Sequence, residues 1–254
     1  TVGFASSPGD SRDPETLLRY ADLALYAAKG EQRGSCRAFA TDMDEAAQQK
    51  CQLEKDFRAA VRNGELEVHY QPLVNLGTGE VECYEALLRW NHSERGLVSP
   101  ETFVQLAEEM GLIDQLGRYV LNQACQEAAG WPEHVKVAVN VSPLQFRNGN
   151  LISTVINALS ASGLAAERLE LEITEAVMME KGPRSGSIIR NLRAFGIGMS
   201  LDDFGTGYSS LSYLLDYPFT KIKIDKAFIL NLHQEAKSRA VIRAVIGLGK
   251  NLGL

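Results

Sequence analysis

Six positions carry the chemistry this sequence could perform. Glu85, Asn140, Glu172, Asp202, Asp203 and Lys223 each lie at or near the end of a short apolar, strand-like run. A strand buried on both faces should be almost purely apolar, so polar groups recurring at matching places need a reason. Four carboxylates facing one mouth would repel each other and push some of their pKa values up. Divalent cations resolve that repulsion, and Asn140 adds a neutral oxygen ligand. An all-oxygen set without clustered His or Cys suits Mg²⁺ or Mn²⁺ better than Zn²⁺. The histidines (His69, His92, His134, His233) are scattered. In the adjacent pair Asp202-Asp203, one carboxylate can bridge two ions while its neighbour completes the second. Two ions roughly 3.5–4 Å apart stabilise the attacking and leaving oxygens of an in-line phosphoryl displacement. Lys223 would orient the attacking water or neutralise phosphate charge. Any one of these carboxylates alone reads as a helix cap or a surface charge; their recurrence points to a site.

The stretch from Asp202 to Ser210 reads as a strand entering a glycine-rich turn and then a helix. Gly205 and Gly207 let the backbone bend sharply, as an active-site loop requires. No lysine follows the glycines, so it is a poor phosphate-binding loop. Glu175, three residues after Glu172, either anchors this loop or is a charge at a helix N-terminus. The lysines of Lys221-Ile222-Lys223-Ile224-Asp225-Lys226 alternate as in a strand rather than forming a nucleic-acid patch.

The elements that must position these groups follow from periodicity. Residues 1–5 read as a short strand. A helix then opens with Asp13 as N-cap and Pro14 at its first position, carries Leu17, Leu18, Ala21, Ala24, Leu25 and Ala28 on one stripe, and stops at Gly30. One strand and one helix cannot build a core alone. A second helix over 42–63 places Leu53, Phe57, Ala60 and Val61 on one stripe, ends at Gly64 and reads as a connector. Strand-like runs at 67–76 and 81–90 are joined by Gly77-Thr78-Gly79 as a hairpin. Helices are expected near 100–110 and 113–129. Strands at 136–142, 169–174, 198–204 and 220–225 then alternate with helices near 151–162, 186–195, 209–215 and 236–252. Repeated βα units imply a parallel sheet, open or closed. Groups delivered to one end by successive strands favour a (β/α)₈ barrel, because an open sheet gathers its site from two or three strands.

Composition excludes several classes. With 254 residues and 45% hydrophobic content the chain can bury one sizeable core. Its net charge of −6 argues against a surface that grips a nucleic-acid polymer. No apolar run approaches the roughly 18 residues of a membrane span. The four cysteines lack C-x-x-C spacing and read as reduced thiols, which places the chain in the cytoplasm. A chain beginning with Thr1 is expected to lack its true N-terminus, where any membrane anchor of the parent would lie.

Tyr84-Glu85-Ala86-Leu87-Leu88-Arg89-Trp90 resembles the signature of the EAL-domain family, phosphodiesterases of the bacterial messenger cyclic di-GMP. The resemblance continues, in family order, through Tyr70-Gln71-Pro72, Asn140-Val141-Ser142-Pro143, Glu172-Ile173-Thr174-Glu175, Asp202-Asp203-Phe204-Gly205-Thr206-Gly207 and Lys223-Ile224-Asp225. Residues 1–40, and within them 21–29 above all, resemble the closing portion of a GGDEF (diguanylate cyclase) domain whose signature motif is absent from the chain. The expected organisation is a GGDEF remnant over 1–40, a connecting helix over 41–64 and an EAL domain over 65–254.

The resemblance implies a modified (β/α)₈ barrel, TIM-like, with an antiparallel first strand. It implies metal coordination by Glu85, Asn140, Glu172 and Asp202, with Asp203 on a second ion. Lys223 would hold the nucleophilic water, Glu175 would steady the loop after Asp203, and Gln71, Arg89 and Asp225 would contact substrate. Mg²⁺ or Mn²⁺ would support turnover, whereas Ca²⁺ would occupy the same oxygens and inhibit. The family's dimers often form beside the loop after Asp203, so a homodimer is expected there. The family continues past this chain's last residues with a strand bearing another catalytic glutamate; six barrel strands are counted here, two short of closure. The expected activity is hydrolysis of cyclic di-GMP to linear pGpG, with this chain inactive if the later strands are required. The competing expectation is a receptor that binds cyclic di-GMP without turnover.

Overall fold

The computed structural model of the chain describes residues 1–31, 34–179, 183–205, 212–230, 232 and 236–254. They form two units, Thr1–Gly64 and Glu65–Leu254.

In the first unit, Asp13 accepts a hydrogen bond from the Thr16 amide at 2.8 Å, and Pro14 opens α1 (Pro14–Glu31). This is the capping that the sequence implies. The expected stop at Gly30 is one residue early, because α1 runs through Gly30 to Glu31. The expectation of a lone strand also needs correction. β1 (Val2–Phe4) pairs in parallel with β2 (Cys36–Ala38), a strand too short to show a period. A Cβ on Gly3 would lie 2.0 Å from the Leu25 amide nitrogen, so only glycine lets α1 lie this close to β1. Ala24 and Ala28 are fully buried. The helix α2 (Thr41–Asn63) ends at Gly64 in the left-handed region, with φ of 72°, and joins α1 through the ion pair Arg19–Asp44 at 2.8 Å.

The second unit begins with β3 (Leu66–Val74) and β4 (Val81–His92), an antiparallel hairpin. At the turn, Asn75 Oδ1 accepts the Gly77 and Thr78 amides at 2.7 and 3.1 Å. A short β5 (Gly96–Val98) flanks β4. Helices α3 (Pro100–Glu109) and α4 (Ile113–Ala129) follow, then β6 (Lys136–Asn140), α5 (Pro143–Asn148) and α6 (Leu151–Ser162). A 3₁₀ turn leads to β7 (Leu169–Thr174), α7 (Ala176–Met179), α8 (Pro183–Ala194) and β8 (Gly198–Phe204). The chain finishes with α9 (Ser212–Asp216), β9 (Lys221–Ile224), α10 (Lys226–Leu230) and α11 (Ala236–Leu252). The first three residues of the helix expected over 209–215 lie outside the described residues.

The main sheet runs β3-β4-β6-β7-β8-β9, antiparallel at its first step and parallel thereafter. This is the TIM-barrel-like α/β wall with an antiparallel first strand, built from the six strands that were expected. Alternation along each strand divides it into two faces. Val137, Val139, Leu169, Leu171, Ile173, Met199 and Leu201 are buried on the outer face. Helices α4, α7 and α8 pack on these strands, contributing Leu121, Ala124, Val177, Ile189 and Leu192 to the core. The inner face carries Lys136, Ala138 and Asn140, then Glu170 and Glu172, then Gly198, Ser200 and Asp202, then Lys221 and Lys223. The outer face therefore holds the fold together, and the inner face is free for chemistry.

Leu171 is fully buried in the middle of that outer face. Leu171→Ala should lower the unfolding free energy of the second unit by about 2–5 kcal/mol, read by denaturant melting, while leaving the polar face in place.

Candidate active site

The ladder register sets the height of each candidate group. Glu85 pairs with Gln71 on β3 and Ala138 on β6, Asn140 pairs with Glu172, and Thr174 pairs with Asp202. Parallel strands held in this register bring Glu85, Asn140, Glu172 and Asp202 to one end of the inner face.

Asp203 needs a further device, because in a regular strand consecutive residues face opposite sides. Leu201 pairs with Ile222 and Phe204 with Ile224, so β8 spends one residue more than β9 over this interval. That is a β-bulge, and it falls on the aspartate pair. Asp203 has φ of 53°, left-handed for a residue with a Cβ, which stores strain at a functional position. The break in alternation keeps Asp203 at the mouth, where it lines a cleft of about 480 Å³ with Arg89, Asn140 and Thr174.

At the centre stands the Lys223 ammonium. Its Nζ donates to Glu85 Oε2 at 3.1 Å and Asp202 Oδ2 at 3.0 Å, and more closely to Glu172 Oε2. Asn140 Nδ2 donates to Glu85 Oε1 at 2.7 Å. Glu85, Glu172 and Asp202 each offer an oxygen within 4.8 Å of the others. Burial pushes the Glu172 carboxyl up to about 8, aided by Glu85 and Asp202 and opposed by Lys223. Burial works against the Lys223 ammonium, but Glu172, Glu85 and Asp202 together carry it above the ordinary lysine range. Asp203 is also raised, by burial, by Asp202 and by its hydrogen bond with Asp225.

One observation tests whether these groups fit a metal. Glu172 Oε1 is buried without a hydrogen-bond partner, although its other oxygen holds Lys223. A buried carboxylate oxygen left open beside two more carboxylates and an amide is a donor set suited to a hard divalent cation. The residues fit.

The remaining predicted site residues are placed less tightly. Arg89 is half-buried, donates Nη1 to the Leu88 carbonyl at 2.9 Å and borders the cleft. Gln71 is exposed and shares the inner face with Glu85 by its ladder position. Glu175 Oε1 accepts the Gly205 amide at 3.2 Å, tying down the chain where β8 ends. Asp225 Oδ1 accepts the Ala227 amide at 2.7 Å at the start of α10. The rest of the glycine-rich loop, residues 206–211, and His233 lie outside the described residues.

Sequence reading missed a polar group that borders the same cleft. Ser142 Oγ donates to Glu108 Oε1 at 2.5 Å, and Ser142 and Gln145 form a capping box that starts α5. The signal was present in Ser142-Pro143-Leu144-Gln145, a cap with proline at the first helical position and glutamine at the third.

A family model described as the EAL domain matches residues 54–254. The chain belongs to the EAL domain family. It is 41% identical over 258 residues to the bifunctional diguanylate cyclase/cyclic di-GMP phosphodiesterase MucR of Pseudomonas aeruginosa, covering 100% of this chain and 38% of that protein. It is 35% identical over 257 residues to the cyclic di-GMP phosphodiesterase PdeR of Escherichia coli, covering 100% of this chain and 39% of that one. The solved Pseudomonas aeruginosa MucR phosphodiesterase in complex with c-di-GMP superposes with a TM-score of 0.77 at 42% identity, over 80% of this chain and 84% of that structure. The chain spans about a third of the length of the curated relatives it matches.

Lys223→Met would leave three converging carboxylates without their cation. Without metal, the variant's melting temperature should fall by several degrees, and added Mn²⁺ should raise it by more than it raises the wild type's. Equal metal-induced shifts in calorimetry would contradict this charge balance.

Proposed function

We propose that this EAL domain is a metal-dependent phosphodiesterase that hydrolyses cyclic di-GMP to linear pGpG. The observation that carries the reading is the buried, open Glu172 oxygen beside Glu85, Asp202 and Asn140. Identity of 35–41% to proteins described as cyclic di-GMP phosphodiesterases supports the substrate.

Glu85, Asn140, Glu172 and Asp202 would hold one Mg²⁺ or Mn²⁺ ion, and the bulged Asp203 would hold a second. Bound there, such ions neutralise phosphodiester charge and lower the pKa of water for in-line attack. Lys223, already among the ligand carboxylates, would hold and orient that water once cations relieve it of neutralising all three. Arg89 at the edge of the cleft would pair with a phosphate oxygen, and Gln71 and Asp225 would border the bound nucleotide. Glu175, bonded to the Gly205 amide, would fix the exit of β8 and so the strained Asp203.

A receptor without turnover would have little use for both aspartates of a strained bulge, so the arrangement favours hydrolysis. Homodimerisation beside the loop after Asp203 and a cytoplasmic location belong to the same reading. Among the described residues no helix is long and apolar enough to cross a membrane. Thr1–Gly64 would then comprise the closing part of a GGDEF domain and its connecting helix, consistent with relatives that match the chain along its whole length.

With the gene-encoded protein, cyclic di-GMP should be linearised in Mg²⁺ or Mn²⁺ and left intact in EDTA. Ca²⁺ should bind the same oxygens yet support little turnover, because its larger and looser shell positions water poorly. Glu85→Ala should cut turnover by about a hundredfold or more, equivalent to about 3 kcal/mol of barrier. Tight nucleotide binding with no pGpG under Mn²⁺ would instead establish the receptor.

A further inference from the structure

Lys223 lacks the support its neighbours have. β9 is four residues long, and among the described residues it pairs only with β8, through Ser200↔Lys221, Leu201↔Ile222 and Phe204↔Ile224. The bulge at Asp202-Asp203 lies between the last two of these pairs, so Lys223 stands at the level where the ladder is interrupted and has no register partner. The ladder holds it only through Ile222 and Ile224 on either side.

One layer beneath, on the same face, lies a second lysine–carboxylate pair. Lys221 Nζ is 2.6 Å from Glu170 Oε1, an ion pair by distance whose angles miss those of a hydrogen bond, and the Glu170 side chain is only 4% exposed. Glu170 and Lys221 are each two residues back along their strands from Glu172 and Lys223, or roughly 6.5 Å. The pair spans β8, since Glu170 is on β7 and Lys221 on β9. β8 leaves room for this crossing: a Cβ on Gly198 would meet Glu170 Cγ at 3.2 Å, and the next inward residue is the small Ser200. Thr220 completes the clamp. Its amide donates to the Met199 carbonyl at 2.8 Å, and its Oγ1 accepts the Met199 amide at 3.1 Å.

We infer that the Glu170–Lys221 ion pair is a positioning pair that fixes β9 relative to β7, and so holds the Lys223 ammonium among Glu85, Glu172 and Asp202. The inference rests on the metal-centre reading above. Its consequence is specific. Lys223 competes with a cation for the same carboxylate oxygens, so a loosened β9 frees those oxygens while misplacing the group that orients water. Metal binding and turnover should therefore move in opposite directions, whereas general damage to the fold would weaken both.

The test is the double variant Glu170→Met/Lys221→Met in the gene-encoded protein. Replacing a buried ion pair by apolar side chains of similar size is often neutral for stability, so its melting temperature should stay within a few degrees of the wild type. Mn²⁺ titrated by calorimetry should bind at least about threefold tighter, while kcat for cyclic di-GMP falls at least about tenfold with KM little changed. Lys221→Arg alone, which keeps the pair, should leave both values near those of the wild type. Unchanged or weaker Mn²⁺ affinity in the folded double variant, or wild-type kcat, overturns the inference. Should the double variant melt early, Glu170→Gln is read by the same titration against the same outcomes. Absence of hydrolysis in the wild type would remove the phosphodiesterase reading, and the Mn²⁺ comparison alone would still decide the positioning role.

Discussion

The Lys223 ammonium among three carboxylates is the interaction to which the rest of the second unit answers. Glu85, Glu172 and Asp202 come from three strands, and bringing them this close costs both desolvation and mutual repulsion. The Glu172 side chain is fully buried, so water cannot screen it. A cation at the centre is a condition of the arrangement. The lysine supplies it in the protein alone, and a divalent ion would take over part of that duty. An inner face given to charge cannot also be the core, so the stabilising burial lies on the other side of the wall. There Val137, Leu169, Leu171 and Met199 are fully or almost fully buried under helices. The strands consequently alternate, where those of a barrel with an apolar interior would be hydrophobic on both faces.

That alternation is why much of the architecture was legible in the sequence. Leu169-Glu170-Leu171-Glu172-Ile173-Thr174 and Lys221-Ile222-Lys223-Ile224 announce both the strand and its polar face. The strands 169–174 and 198–204 and the helices 151–162 and 236–252 agree in extent with β7, β8, α6 and α11. Some of the short elements were not legible. β2 and β5 are three residues each, less than two periods of a strand, and they exist because a neighbouring strand offers them a ladder. The helix α5 is too short to carry a stripe, and its evidence lay entirely in its cap.

Within the site, residue types were legible and geometry was not. Adjacent aspartates could be read as ligands of two ions, but alternation alone would send one of them to the wrong face. The bulge that prevents this has no local signature in Leu201-Asp202-Asp203-Phe204. It appears only when β8 is laid against β9 and one strand is found a residue longer. The floor of the site shows the same limit. Lys221 reads as a strand lysine on the face of Lys223, but that it reaches Glu170 across β8 depends on Gly198 and Ser200 being small. Such a contact is a property of three strands at once.

The same distinction separates fold from activity among related proteins. The outer-face residues that make the wall are replaceable by others of similar volume, so the fold persists while the inner face changes. A hydrolase requires more of that inner face. The proposed hydrolysis would use a buried carboxylate with an open oxygen, a second aspartate held in a strained conformation, and a lysine between them. Each runs against the stability of an isolated strand: Glu172 by burial, Asp203 by its positive φ, and Lys223 by its place where the ladder breaks. Residues that fold a chain need no such features. Their joint occurrence at one mouth marks a site for chemistry, since the architecture that carries them does not ask for them.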